Sequence, residues 1–171
     1  MHKIVVMGVS GSGKSTLARA VAQALAAQAI EGDEHHPPAN REKMRRGEAL
    51  QDSDREPWLD RLGELMAAHA GPVVLTCSAL KHSYRERLRT RVPGLLFVFV
   101  EIDEATAAER VRSRADHYFP AGLVASQFQA LEPPHGEPGV LAVSAALTPQ
   151  VQCDAVLQWL GAMPFTSNRS L

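Results

Sequence analysis

Short apolar runs alternate along this chain with longer stretches in which apolar residues recur every three or four positions. Residues 3–7, 73–77, 95–100 and 140–143 read as buried strands, and 29–31 as a shorter one. Between them, 15–28 carries Leu17, Val21 and Leu25 among many alanines and reads as a helix. Residues 57–69 put Leu59, Leu62, Leu65 and Met66 on one helical face, with Pro57 suited to the first turn. Further helices are expected over 83–91 (stopped by Pro93-Gly94), 104–114, 121–131 and 149–160. The polar stretch 33–57 predicts a short helix around 40–46; 116–121 and 132–139 predict loops, and 164–171 a frayed tail. Strand alternating with helix predicts an α/β fold, three layers deep (α/β/α), around a five-stranded parallel sheet. Ligands then belong at the carboxyl ends of the strands. Residues 1–163 are expected to form one domain, with 33–57 and 115–122 as substrate-binding and lid insertions.

Composition narrows the picture only a little. The 171 residues are 45% apolar and 22% charged with a formal net charge of −1, so bulk charge predicts no nucleic-acid or membrane surface. The cations are 14 Arg against 4 Lys, a bias that suits anion binding and equally suits a GC-rich genome. Cys77 and Cys153 lack metal or redox spacing and are expected to be reduced thiols. Without a signal-like leader or an apolar run long enough to span a bilayer, the expected location is the cytoplasm.

The chemistry starts at Gly8-Val9-Ser10-Gly11-Ser12-Gly13-Lys14-Ser15, directly after the first strand and opening a helix. This is the spacing of a P-loop. Gly8, Gly11 and Gly13 let backbone N–H groups close around an anion, with Ser10, Ser12 and Thr16 in the same cradle. Lys14 belongs on the β- and γ-phosphates and the Ser15 hydroxyl on Mg²⁺. The predicted ligand is a nucleoside triphosphate, ATP with Mg²⁺.

Phosphoryl transfer further needs a group for the acceptor hydroxyl and cations over the developing charge. Asp33, just past the second strand, could accept the acceptor's proton, hold Mg²⁺ through water, or cap the next short helix. Lys81, Arg85 and Arg89 form one helical stripe, and Arg110 and Arg114 stand four apart before a loop. On pattern alone each set fits a solvated face as well as an anion site. His35, His36 and His117 lack a zinc-ligand pattern and suit hydrogen bonding to a polar substrate better.

Several further runs complete a pattern: Gly32-Asp33 with His36-Pro37, Asn40, Lys43-Met44, Asp52-Ser53-Asp54-Arg55-Glu56-Pro57-Trp58-Leu59, Cys77-Ser78-Ala79-Leu80-Lys81, Tyr84-Arg85, His117-Tyr118-Phe119, and Ser126-Gln127-Phe128 with Leu131-Glu132. In this order, from about residue 3 to 160, the chain resembles the gluconate kinases, P-loop relatives of shikimate and nucleoside-monophosphate kinases. The resemblance implies transfer of the ATP γ-phosphoryl group to the 6-hydroxyl of D-gluconate. It implies Lys14, Asp33 and Arg114 as catalytic residues, with Asp33 on the acceptor side and able to share the metal with Ser15. His36 and Arg55 would join the sugar-acid pocket, Arg55 gripping the carboxylate with its planar fork. Lys81, Arg85 and His117 would face substrate, Arg110 would stack on adenine, and Arg114 with His117 would belong to the lid. Trp58 would anchor the helix that presents Arg55. A homodimer is also implied.

Two departures stand out. The third strand ends in Thr76-Cys77-Ser78, without the Asp that many P-loop enzymes use to hold Mg²⁺ through water, and Asp116 stands where relatives often carry Gly. Two rival readings are a kinase for another small acid or polyol, such as shikimate, and a non-catalytic nucleotide switch.

Overall fold

Apolar runs too short for helices and too continuous for exposed strands pair into a central sheet. The computed structural model describes residues 2–113 and 122–163. Its strands are β1 (Lys3–Met7), β2 (Gln28–Glu31), β3 (Val73–Cys77), β4 (Leu96–Glu101) and β5 (Val140–Ser144). They lie in the order β2-β3-β1-β4-β5, all parallel, with Val5 opposite both Leu75 and Phe97. Seven helices are described: α1 (Lys14–Ala24), α2 (Pro38–Arg45), α3 (Asp52–Ala68), α4 (His82–Arg91), α5 (Glu104–Ser113), α6 (Gly122–Ala130) and α7 (Pro149–Ala162).

The period of two along β1 divides the core. Val5 and Met7 pack with Trp58, Leu62, Leu75, Leu88 and Phe97 under α3 and α4, whereas Ile4 and Val6 pack with Leu17, Val21, Val74, Val98 and Val156 under α1 and α7. Leu17 and Leu62 are fully buried, one on each face. Truncating either to Ala would cost about 2–5 kcal/mol. The three-layer expectation therefore holds.

The largest shifts of helix boundary are at α3 and α1. α3 begins at Asp52, five residues before the expected start, because the Asp54 carboxylate accepts the Gln51 backbone N–H at 2.9 Å and closes the first turn. Pro57 consequently sits inside the helix and forgoes one intrahelical bond. α1 ends at Ala24, short of the expected residue 28: Ala26 turns to a φ of +48° and Ala27 N–H reaches back to the Ala22 carbonyl at 2.8 Å. High alanine propensity carried the pattern past a turn imposed by the pairing of Gln28 with Val73. No described helix is long and apolar enough to cross a membrane.

Candidate functional site

The loop between β1 and α1 is shaped for an anion. Gly11 holds a φ of +83°, and a Cβ there would stand 2.7 Å from the Ala107 carbonyl oxygen, so no other residue fits. α1 opens on Gly13 with no side-chain cap and no acid in its first turn, which leaves its N–H groups and positive end for a phosphate. Lys14 Nζ donates to the Val9 carbonyl oxygen at 2.9 Å, folding the ammonium over the loop. Arg110 on α5 donates to the carbonyls of Gly11 (3.4 Å) and Ala145 (3.0 Å), beside the same loop.

The strand ends supply the carboxylates. Ser15 Oγ donates to Glu31 Oε1 at 3.1 Å, and the Thr76 hydroxyl donates to the same oxygen. Thr76 Oγ1 in turn accepts the Gly32 N–H at 3.1 Å, so β2 and β3 are cross-linked where they meet the P-loop helix. β2 and β3 approach so closely here that a Cβ on Gly32 would lie 2.1 Å from the Thr76 carbonyl oxygen. The Cys77 thiol cannot replace the missing strand-end Asp: burial pushes it up to about 12, and it stays neutral. The sequence carries no local mark of Glu31's role beyond a carboxylate ending the strand next to β3, since its partners Ser15 and Thr76 lie 16 and 45 positions away.

Asp33 lies within a single 3-10 turn (Gly32–His35) whose N-cap is Glu31, so helix capping is not its task. Its side chain is 77% exposed and 3.9 Å from His36 Nε2. His36 stacks on Trp58 with ring centroids 3.9 Å apart and planes 14° from parallel. Asn40 Nδ2 donates to the Asp54 carbonyl at 2.8 Å and faces His36 Nδ1 at 3.3 Å. His36 Nδ1 must then accept, which puts the ring proton on Nε2, toward Asp33. Burial first, then the charges of Arg55 and Arg41, hold the imidazole down to about 3, so it is neutral at physiological pH.

Helix α3 brings Arg55 to the same place. Trp58, one turn on, donates its indole N–H to the Gly32 carbonyl at 2.9 Å, acting as the expected anchor. Lys14, Ser15, Glu31, Asp33, His36 and Arg55 together line one cavity of about 800 Å³. An adjoining cleft shares Arg55 and contains Lys81, Asp52 and Tyr84. There Lys81 Nζ donates to the Asp52 carboxylate at 2.8 and 3.0 Å, and the Tyr84 hydroxyl donates to it as well.

Arg85 is a correction. The expectation that it faces substrate fails, because its guanidinium is fully buried and every arm is engaged. It reaches Glu137 (Nη2 at 2.5 Å, Nε at 3.0 Å) and the carbonyls of Ala79 (2.8 Å), Leu80 (3.1 Å) and Glu132 (3.0 Å). Ala79 holds a left-handed φ of +43°, a conformation that costs a non-glycine residue about 1–2 kcal/mol. Arg85 thus braces the turn that carries Ser78 and Lys81 toward the site. Although burial alone would raise it, Glu137 is held down to about 2 by hydrogen bonds from Arg85, His82 and Arg89.

On α6, Gln127 Oε1 accepts the Ser10 N–H at 2.7 Å, a contact with the P-loop that no spacing rule announced. Arg114, Asp116 and His117, with residues 115–121 of the expected lid, lie outside the described residues.

A family model described as an AAA domain matches residues 4–134. A gluconokinase of Gluconobacter oxydans is 44% identical over 159 residues, covering 91% of this chain and 89% of its own. The crystal structure of a gluconokinase from Sinorhizobium meliloti superposes with a TM-score of 0.82 at 42% identity, covering 95% of this chain and 98% of that one. A sugar kinase from Janibacter sp. HTCC2649 superposes with a TM-score of 0.90 at 36% identity over 96% of each chain.

Proposed function

Because the chain belongs to the gluconokinase family, we propose that it transfers the γ-phosphoryl group of ATP to the 6-hydroxyl of D-gluconate, releasing ADP and 6-phospho-D-gluconate. The observation that carries this reading is the single cavity in which phosphate-side Lys14 and Ser15 meet acceptor-side Asp33, His36 and Arg55. In this reading the acceptor oxygen bonds to the γ-phosphorus while the bond to the β–γ bridging oxygen breaks, and the hydroxyl proton passes to the Asp33 carboxylate. A neutral His36, holding its proton on Nε2, donates to Asp33 or to a sugar hydroxyl and cannot compete as a cation for the substrate carboxylate. That carboxylate goes to the Arg55 fork, which binds it through two parallel N–H groups. Arg110 serves the adenine side.

The P-loop donors fit the phosphates of a nucleotide, since Gly11 admits no side chain and the α1 terminus is uncapped. Ser15 and Glu31, joined by a 3.1 Å hydrogen bond, are a hard-oxygen pair suited to Mg²⁺, with Asp33 close by. When bound there, Mg²⁺ would neutralise charge on the β- and γ-phosphates. A cytoplasmic homodimer completes the proposal, to be checked by fractionation and analytical ultracentrifugation.

Gluconate-dependent ADP release, measured by a coupled assay across sugar acids, polyols and shikimate, tests the reaction. Turnover with gluconate above the others is expected. Turnover with another acid and none with gluconate would replace the acceptor, and ATP binding without acceptor-dependent turnover would favour a switch.

A further inference from the structure

The run Ser126-Gln127-Phe128 has no task in the chemistry above. Gln127 is only 8% exposed, yet it lines the cavity that holds Lys14, Ser15 and Asp33. Its Oε1 accepts the Ser10 backbone N–H at 2.7 Å. An N–H can only donate, so the atom facing it must be the amide oxygen, and the two Nε2 hydrogens are turned away from Ser10. The carbonyl of the same peptide unit, Val9 O, accepts Lys14 Nζ at 2.9 Å. One peptide is therefore held at its oxygen by the P-loop lysine and at its nitrogen by Gln127. Lys14 is the side chain whose charge belongs on the β- and γ-phosphates, so the oriented amide stands one peptide group away from the position that reads the terminal phosphate.

We propose that Gln127 binds the phosphoryl group being transferred: Oε1 stays on the Ser10 N–H while Nε2 donates to a non-bridging oxygen of the terminal phosphate. Fixed in advance by Ser10 and by burial, the amide supplies a neutral donor that needs no reorganisation as charge shifts. It distinguishes a triphosphate from a diphosphate, a selectivity that the α1 terminus and the glycines do not provide. The proposal rests on the ATP reading and deepens it by naming a group for the γ-phosphate.

The test compares binding of a non-hydrolysable ATP analogue and of ADP, with Mg²⁺ and without gluconate, in the wild type, Gln127→Glu and Gln127→Met, by titration calorimetry at about pH 8. Gln127→Glu keeps an acceptor for Ser10 but removes the Nε2 donors and adds charge, whereas Gln127→Met keeps length and packing but loses both bonds. Both variants are expected to bind the analogue at least about tenfold more weakly, the size of a lost hydrogen bond to a charged group, with ADP affinity retained. A Gln127→Glu protein that matches the wild type, or variants that lose both nucleotides alike, would overturn the proposal in favour of a purely structural latch. Gluconate plays no part in this readout, so a wrong acceptor leaves it intact. Failure of the wild type to bind the analogue would instead strike the ATP reading.

Discussion

Trp58 and Gly32 are joined by a hydrogen bond of 2.9 Å from the indole N–H to the carbonyl oxygen, and this bond fixes the helix presenting Arg55 to the strand end presenting Asp33. Replacing Trp58 by Phe keeps an aromatic face against His36 but leaves the Gly32 carbonyl without its donor. We expect a loss of about 1–3 kcal/mol of stability in urea unfolding. We also expect a rise in the gluconate KM that exceeds any rise in the ATP KM, because on the proposed mechanism that bond joins the two acceptor-side residues, Asp33 and Arg55. Equal changes in both would show that the indole merely fills space.

Asp33→Asn removes the proton acceptor while preserving shape. On the proposed mechanism kcat falls by roughly a hundredfold or more, the usual scale of general-base catalysis. ATP affinity stays near wild type, since Asp33 is directed at the acceptor. Steady-state kinetics with separate nucleotide titration check this, and an unchanged kcat would remove Asp33 from the role.

Glu31→Gln addresses the metal. The Gln retains hydrogen bonds to Ser15 and Thr76 but loses the charge. The Mg²⁺ concentration needed for half-maximal activity should rise about tenfold, the lower end of the effect of losing a group that orients a metal ligand, while thermal stability changes little. A flat Mg²⁺ dependence would leave Glu31 as a strut between β2 and β3.

His36 gives a signature in pH. Its ring is held down to about 3 in the folded protein, against an ordinary value of 6.5. The unfolded chain therefore binds a proton that the folded one refuses, so the contribution of His36 is fully present above pH 6.5 and is lost as pH falls toward about 3. The slope from one such group is at most about 1.4 kcal/mol per pH unit. Urea unfolding of the wild type and His36→Gln between about pH 7 and 5, above the range where most carboxylates titrate, should show a shallower slope in the variant. Parallel slopes would mean that His36 accepts its proton in the folded state.

Much of this was readable from the chain, and the parts that were not share a physical cause. β1, β3 and β4 are continuous apolar runs because both faces are covered, and that pattern needs no partner to be recognised. The P-loop is equally local. Arg85 shows the opposite case: helical spacing put it on one stripe with Lys81, but the stripe's surroundings come from Glu137, 52 positions away. Glu31 is anchored by Thr76 across 45 positions, and Gln127 meets Ser10 across 117. Spacing tells which side chains share a face, and only tertiary packing tells what that face meets.

The split of the cavity between a strand joint and a helix has a practical side. The β2–β3 joint at Gly32 admits no added methyl, which would collide with the Thr76 backbone, so that joint tolerates no redesign. On the proposed mechanism acceptor recognition falls to Arg55 on α3, a helix capped by its own Asp54 and bolted down through Trp58. On that reading, exchanging Arg55 while Asp54 and Trp58 are kept is a route to enzymes that phosphorylate other polyhydroxy acids with the P-loop left untouched.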